Sequence, residues 1–429
     1  MATFEMECFQ NEFLARDADT MHAVLTVTVA GTGEEVPSRT APGERSELII
    51  VDTSGSMSGK KLRAAKEATS AAIDCIPGGV AFGVLAGNHE AELVYPATLP
   101  LSVSSPETRD AAKAAVKQLE ARGGTAIGSW IRLATRVFAE GGGIRHAILL
   151  TDGKNESEEP EELDAALEGA VGLFECDCRG VGTDWVVAEL RKVATMLLGT
   201  YDIVADPSGL EADFSRIMHG SLRRHVAEVA LRVWTPQGAE IVALTQLKDD
   251  EPPLDMTGTR IDAGPRTGDY ATGAWADESR DFYLAVKVPV GDVDDEMLAA
   301  RVSLVVGDEP VAQQLVRAVW TDDVAKSTQM NRRVAQVRNE EALADVIQEV
   351  VDAHRAGDVE RATDRAGRAV RMAHQAGNDD VQERISKLFE IEDPVTGRVR
   401  LRPKVEEVDV MTFEARSTRT SRRAHPEGG

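Results

Sequence analysis

Asp52, Ser54 and Ser56 stand in the run Asp52-Thr53-Ser54-Gly55-Ser56, directly after the apolar stretch Leu48-Ile49-Ile50-Val51. A carboxylate and two hydroxyls are thus grouped where a buried strand should end. Two further segments share this layout: Gly123-Gly124-Thr125 in a glycine-rich loop, and Thr151-Asp152-Gly153 after Ala147-Ile148-Leu149-Leu150. A small hard cation takes oxygen ligands in octahedral geometry, keeps several waters and uses one or two protein carboxylates. Asp52, Ser54, Ser56, Thr125 and Asp152 supply such a set. Hydroxyls donate without adding charge, so a cation held there stays net positive, and an open position on it would attract a carboxylate or phosphate.

Rival chemistries fail on the same residues. An aspartyl-phosphate phosphatase needs a second Asp two places after the nucleophile, and Ser54 stands there. A P-loop needs Gly, four residues, then Gly-Lys-Ser/Thr. Before Gly59-Lys60 the first Gly is replaced by Ser54, and Lys61 takes the place of the hydroxyl residue. A Gly-x-Ser-x-Gly elbow is absent around Ser54, Ser56 and Ser58. These failures point away from an enzyme. A plainer reading makes the serines caps of the helix starting near Gly59, with Asp52 and Asp152 as turn residues. Three loops with the same layout, in series, favour the oxygen cluster.

The elements around the cluster follow from hydrophobic period. Residues 46–222 alternate apolar strand runs (Leu48–Asp52, Val80–Ala86, Ile144–Leu150, Leu173–Val181, Thr200–Val204) with helical patterns. This order predicts a mostly parallel sheet with helices on both faces. In such sheets the site lies beyond the carboxyl ends of the strands, where all three loops fall. Residues 225–320 change to alternating, Val-rich runs divided by turn signals, including Lys248–Asp255, which predicts an antiparallel sandwich. The strand Met21–Ala30 has no local partner and is expected to complete that sandwich, so that the parallel unit emerges as an insertion. Apolar stripes through Leu343–Val351, Val359–Val370 and Val381–Phe389, punctuated by Gly357-Asp358 and Gly377-Asn378-Asp379, predict a short helical bundle. The expected division is 1–44 as strands joining the sandwich, 45–224 parallel unit, 225–325 sandwich, 326–395 helical bundle and 396–429 polar disordered tail.

The five oxygen residues in this order resemble the metal-ion-dependent adhesion site of von Willebrand factor type A (vWA) domains, over roughly residues 46–222. The resemblance implies a Rossmann-like vWA domain, hence an α/β protein with a parallel-rich sheet, plus the antiparallel β-sandwich and C-terminal helical segment. It also implies that Asp52, Ser54, Ser56, Thr125 and Asp152 bind Mg2+, directly or through water, with Mn2+ or Ca2+ as substitutes. In that family a partner protein's acidic side chain commonly completes the metal shell, and the domains usually assemble complexes rather than catalyse.

Net charge is −24, from 72 acidic and 48 basic residues, which disfavours nucleic acid or an anionic membrane as partner. No apolar run reaches the roughly 20 residues that cross a bilayer, and Met1–Ala15 lacks the basic start and apolar core of a secretory signal. Cys8, Cys75, Cys176 and Cys178 form no CxxC pair. A cytoplasmic protein is expected. The histidines His89, His146 and His219 stand alone, without the spacing of zinc ligands, and the five tryptophans read as packing residues. The acidic run Glu156–Glu162, just after Asp152, reads as a solvated helix start, or as a tuner of partner choice. Thr418 and Thr420, flanked by Arg416, Arg419, Arg422 and Arg423, are candidate phosphorylation sites for basophilic kinases.

The expected function is therefore Mg2+-dependent docking of a partner's Asp or Glu within an intracellular complex or signalling assembly. Alternatives are an accessory subunit of an ATP-driven remodelling or metal-insertion complex, a kinase substrate whose phospho-Thr tail recruits a phosphopeptide reader, and self-association through an acidic residue of a second copy.

Overall fold

The computed structural model describes residues 2–31, 45–139, 141–247 and 253–416. The candidate phosphorylation sites Thr418 and Thr420 lie outside the described residues, as does most of the acidic turn Lys248–Asp255.

The strand Arg45–Asp52 is the middle of the parallel sheet, and all eight of its residues are buried. Burial on both faces is what an uninterrupted apolar strand demands. Across the sheet the order is Tyr201–Val204, Glu175–Val181, Ile144–Thr151, Arg45–Asp52, Ala81–Gly87 and Ala91–Tyr95. The first five run parallel. Ala91–Tyr95 adds an antiparallel edge that the periodicity does not announce. Alternation along the central strand divides the core in two. Leu48 and Ile50 pack with Trp130, Phe138 and Leu190 beneath the helices Ile127–Ala139 and Val187–Met196. Ile49 and Val51 face Ala65, Ile73 and Phe214 beneath Lys60–Cys75 and Leu210–Leu222. Asp52 and Asp152 fall at the carboxyl ends of adjacent strands, from which the chain departs to opposite sides. This is the switch point at which open α/β sheets place their sites.

Two further sheets share a second core. One has the order Thr3–Gln10, Thr20–Ala30, Glu278–Lys287, Glu240–Leu247, Leu254–Asp255; the other runs Ile261–Gly264, Thr267–Trp275, Val226–Trp234, Glu296–Val306, Glu309–Thr321, Phe13–Ala15. Leu25, Phe282 and Leu284 of the first sheet meet Leu231, Val302 and Trp320 of the second. The strand Thr20–Ala30 lies between Thr3–Gln10 and Glu278–Lys287, so the parallel unit interrupts the sandwich. Its partner Thr3–Gln10 is an edge strand whose Glu5 and Glu7 are exposed. Such charges discourage edge-to-edge aggregation and also hide the strand from a search for apolar alternation.

After the single turn Val324–Ser327 come three longer helices, Arg332–Arg355, Val359–Ala376 and Asp379–Leu388. Asp358 caps the second by accepting from the Arg361 N–H, Gly377 ends it in a left-handed conformation (φ 64°), and Asn378 caps the third.

The expectation of a disordered tail from residue 396 is corrected for residues 396–416. Phe389–Asp393 and Arg398–Leu401 form a hairpin, and Glu407–Ala415 is a helix. Met411 and Ala415 enter the core beneath Val187–Met196, whereas Phe413 enters that of the helical unit. Charges at Arg398, Arg400, Arg402 and Lys404 mask the alternate apolar residues Val399 and Leu401.

Candidate functional site

The three loops are stitched together by backbone hydrogen bonds before any side chain is considered. The Thr53 N–H donates to Gly87 O (2.7 Å), the Arg122 N–H to Thr53 O (2.7 Å), and the Gly55 N–H to Gly123 O (2.9 Å). Gly87 is required here, because a Cβ would stand 2.4 Å from the Trp130 indole. The third loop closes on the second: the Ser157 N–H donates to Thr125 O at 2.9 Å, and Asn155 Oδ1 accepts from the Ile127 N–H at 2.7 Å.

The five expected residues come together on this frame. Asp52 and Asp152 are both 0% exposed. Asp52 Oδ1 accepts from the Ser54 N–H at 2.6 Å and Oδ2 from the Thr151 hydroxyl at 2.5 Å. Ser54 Oγ and Ser56 Oγ are 2.9 Å apart, and the Ser56 hydroxyl donates to Asp152 Oδ1 at 2.6 Å. Thr125 joins through Gly153, where a Cβ would lie 2.7 Å from Thr125 Oγ1 and 3.5 Å from Ser56 Oγ. Ser56 is exposed, so the cluster opens to solvent at that residue. Burial, aided by the Asp152 charge, pushes the Asp52 carboxyl up to about 6, against the pull of the hydrogen bonds from Thr151 and Ser54. A nearby cation would relieve that penalty.

Several site residues carry no signal in the motif itself. Lys61, in the first turn of Lys60–Cys75, places Nζ 2.5 Å from Asp152 Oδ2 and 3.2 Å from Asp184 Oδ2. Burial works against its charge, but both carboxylates hold its pKa above the ordinary lysine value. Glu158 belongs to the acidic run read as solvated, yet its carboxylate is nearly buried and accepts from the Gly128 N–H at 2.5 Å, at the start of Ile127–Ala139. There a negative charge meets unpaired N–H groups and the positive end of the helix dipole. Glu159 and Glu162 close a reciprocal cap at the start of Pro160–Glu168, the helix-start role expected of the run.

A second charged cluster occupies the opposite end of the sheet. His146 lies between Glu47 and Asp177, with Nδ1 2.7 Å from Glu47 Oε2 and Nε2 2.9 Å from Asp177 Oδ2. Two carboxylate acceptors require a proton on each nitrogen. Burial opposes that charge, but the two carboxylates raise its pKa to about 9. The imidazolium and Arg179 in turn hold Asp177 well below the usual carboxylate range despite burial. His146 is thus a core ion-pair residue. Cys176 and Cys178 are buried free thiols with Sγ atoms 4.0 Å apart, in keeping with their expected place in a core strand.

The description of the von Willebrand factor type A domain matches residues 47–203, and that of the von Willebrand factor type A C-terminal domain matches residues 371–417. A solved structure, von Willebrand factor type A from Catenulispora acidiphila, is 43% identical, covers 98% of this chain and 97% of its own, and superposes with a TM-score of 0.90. The chain belongs to the von Willebrand factor type A family. The ArnB paralog VWA2 from Sulfolobus acidocaldarius shares the fold over 96% of this chain and 98% of its own, at 15% identity and a TM-score of 0.58. Among curated sequences, an uncharacterized protein of Synechocystis is 28% identical over 165 residues, a match spanning 37% of this chain and 37% of that protein. Type A domains are in general protein-interaction modules. The second matched region takes in the hairpin Phe389–Leu401 and the helix Glu407–Ala415, the part whose order the sequence conceals.

Among the described residues no group of three or more His, Cys, Asp or Glu forms a metal cluster. What the type A loops offer instead is two carboxylates and three hydroxyls, a donor set suited to a hard cation. The glycine at 153 fits the same role, since a side chain there would fill the space beside Thr125 and Ser56.

Proposed function

We propose that this protein is a non-catalytic docking protein whose metal-ion-dependent adhesion site binds Mg2+ and captures an Asp or Glu of a partner protein. The observation that carries the reading is the convergence of Asp52, Ser54, Ser56, Thr125 and Asp152 at a cluster that is buried on its carboxylate side and open at Ser56. Mg2+ held there would supply a positive centre with a free coordination position for an anionic oxygen.

The chain's own residues supply the rest. Asp52 and Asp152 provide the anionic ligands, and the Thr151 hydroxyl fixes the orientation of Asp52. Ser54, Ser56 and Thr125 contribute neutral oxygens, so the site retains positive character toward an incoming carboxylate. The sandwich and helical units supply a rigid support and further surface. A cytoplasmic setting belongs to the same proposal; four free thiols accord with it, and no helix among the described residues is long and apolar enough to cross a membrane.

Capture experiments with wild-type and Asp152→Ala protein, each with Mg2+ and with chelator, test the proposal. Partners retained only by wild type with Mg2+ support it. Partners retained equally under all four conditions overturn it.

A further inference from the structure

The first turn of a helix favours anions, because its N–H groups lack intrahelical partners and its dipole is positive there. The helix Lys60–Cys75 has no acidic residue in that turn and carries Lys60, Lys61 and Arg63 instead. A cation so placed is unfavourable unless something across space receives it. Lys61 is received twice, by Asp152 Oδ2 at 2.5 Å and by Asp184 Oδ2 at 3.2 Å.

The two acceptors differ. Asp152 is buried completely, with Oδ1 accepting from the Ser56 hydroxyl and Oδ2 from the Lys61 ammonium, so any further cation must share this carboxylate with Lys61. Asp184 lies on the loop between Glu175–Val181 and Val187–Met196, with 68% of its side chain exposed. The Lys61 side chain, 26% exposed, bridges the inside of the site and its rim.

We propose that Lys61 is a tethered cation that shares the Asp152 carboxylate with Mg2+ and thereby sets the metal affinity of the site, with Asp184 as the acceptor that draws the ammonium outward when metal is held. This rests on the metal-docking reading above. A dication and an ammonium on one carboxylate repel each other, and in a partly buried site that repulsion is weakly screened. Lysine suits the role, because its compact charge rides on a flexible four-carbon stem. The displacement is short, since Asp184 already lies within hydrogen-bond reach of Nζ.

Lys61 and its rim partner Asp184 make opposite predictions. Removing the ammonium relieves repulsion and tightens metal binding, whereas removing Asp184 leaves Lys61 with Asp152 alone and weakens it. Calorimetric titration of the full chain with MgCl2 reads both effects. Lys61→Met should bind at least about tenfold more tightly than wild type, which corresponds to roughly 1.4 kcal/mol. Lys61→Arg, which keeps the charge, should stay close to wild type, and Asp184→Asn should bind severalfold more weakly. Lys61→Met also leaves the buried Asp152 charge unpaired, so its melting temperature in chelator should fall and its rise on adding MgCl2 should exceed that of wild type. This second readout serves if the variant is marginally folded at the titration temperature. Wild type that binds Mg2+ while Lys61→Met binds equally or more weakly, with no larger melting shift, overturns the role of Lys61 alone. Neither heat nor melting shift with Mg2+ in wild type and Lys61→Met alike overturns the metal-docking reading itself.

Discussion

The Ser56 hydroxyl donates to Asp152 Oδ1 at 2.6 Å, joining two loops whose residues stand 96 positions apart. One end of the bond is exposed and the other completely buried, so it marks the passage from solvent into the site. Ser56→Ala removes that donor and one neutral ligand while leaving the strands and their cores untouched. Mg2+ affinity should fall on the order of 10–100-fold, and the chelator-state melting temperature should fall less than in Lys61→Met, because Asp152 keeps the Lys61 ammonium. Titration calorimetry alongside thermal melts checks both halves.

Gly153→Ala tests the space rather than the ligands. The added Cβ would sit 2.7 Å from Thr125 Oγ1, closer than real Cβ contacts come. Thr125 must shift, and Mg2+ binding should weaken by at least about tenfold, a difference near 1.4 kcal/mol. Mg2+ titration of the variant measures it, and unchanged affinity would remove Thr125 from the ligand set.

The triad Glu47–His146–Asp177 gives stability a defined pH dependence. The folded state raises His146 from the ordinary 6.5 to about 9, so it holds a proton there that the unfolded chain has released. The stabilisation is complete below about pH 6.5 and is lost as pH rises through about 9. Its size is on the order of 3 kcal/mol. Urea denaturation between pH 6 and pH 10 should show this decline, and His146→Ala should abolish it. The same substitution takes the imidazolium from two buried carboxylates, leaving Glu47 with Arg45 and Ser221 and Asp177 with Thr200, at a cost of about 3–5 kcal/mol at neutral pH.

The C-terminal helix should matter for the stability of the type A unit. Met411 is buried in the core shared with Leu190 and Tyr201, and Arg416 pairs with Asp202 at 3.2 Å. Met411→Ala should cost roughly 2–5 kcal/mol. A urea midpoint equal to that of wild type would mean that the helix does not dock in solution.

Sequence alone makes the centre of the site legible, because two of the three ligand-bearing loops follow strands too apolar to be anything but core, while Thr125 is marked only by its glycine-rich loop between the helices Pro106–Lys117 and Ile127–Ala139. Leu48–Val51 and Ala147–Leu150 announce their strands, and the polar residues after them must then sit at the carboxyl ends of those strands. What escapes are charges with a local excuse. Lys61 reads as one cation among several at the start of a helix, and Glu158 as one acid in a solvated run, until distances show where each carboxylate or ammonium goes. His146 is invisible as an ion-pair residue for a related reason: Glu47 and Asp177 lie 99 and 31 positions away, and only the parallel register brings them beside it. The edge strand Thr3–Gln10 and the hairpin strand Arg398–Leu401 fail differently. Each bears charge on its outer face, so half of its pattern looks like solvent-exposed coil.

The interrupted sandwich has a consequence for how the chain is made. Thr28 and Ser279, hydrogen-bonded at 2.8 Å on neighbouring strands, are 251 positions apart. A ribosome adding about 5–20 residues per second needs roughly 12–50 s to connect them. Through that interval the inserted α/β unit, built largely from contacts within itself, can reach its native form while Thr20–Ala30 waits with one edge unpaired. Pairings of such high contact order form slowly. The apolar residues Val24, Leu25 and Val27 are thus the ones a nascent-chain chaperone would meet first.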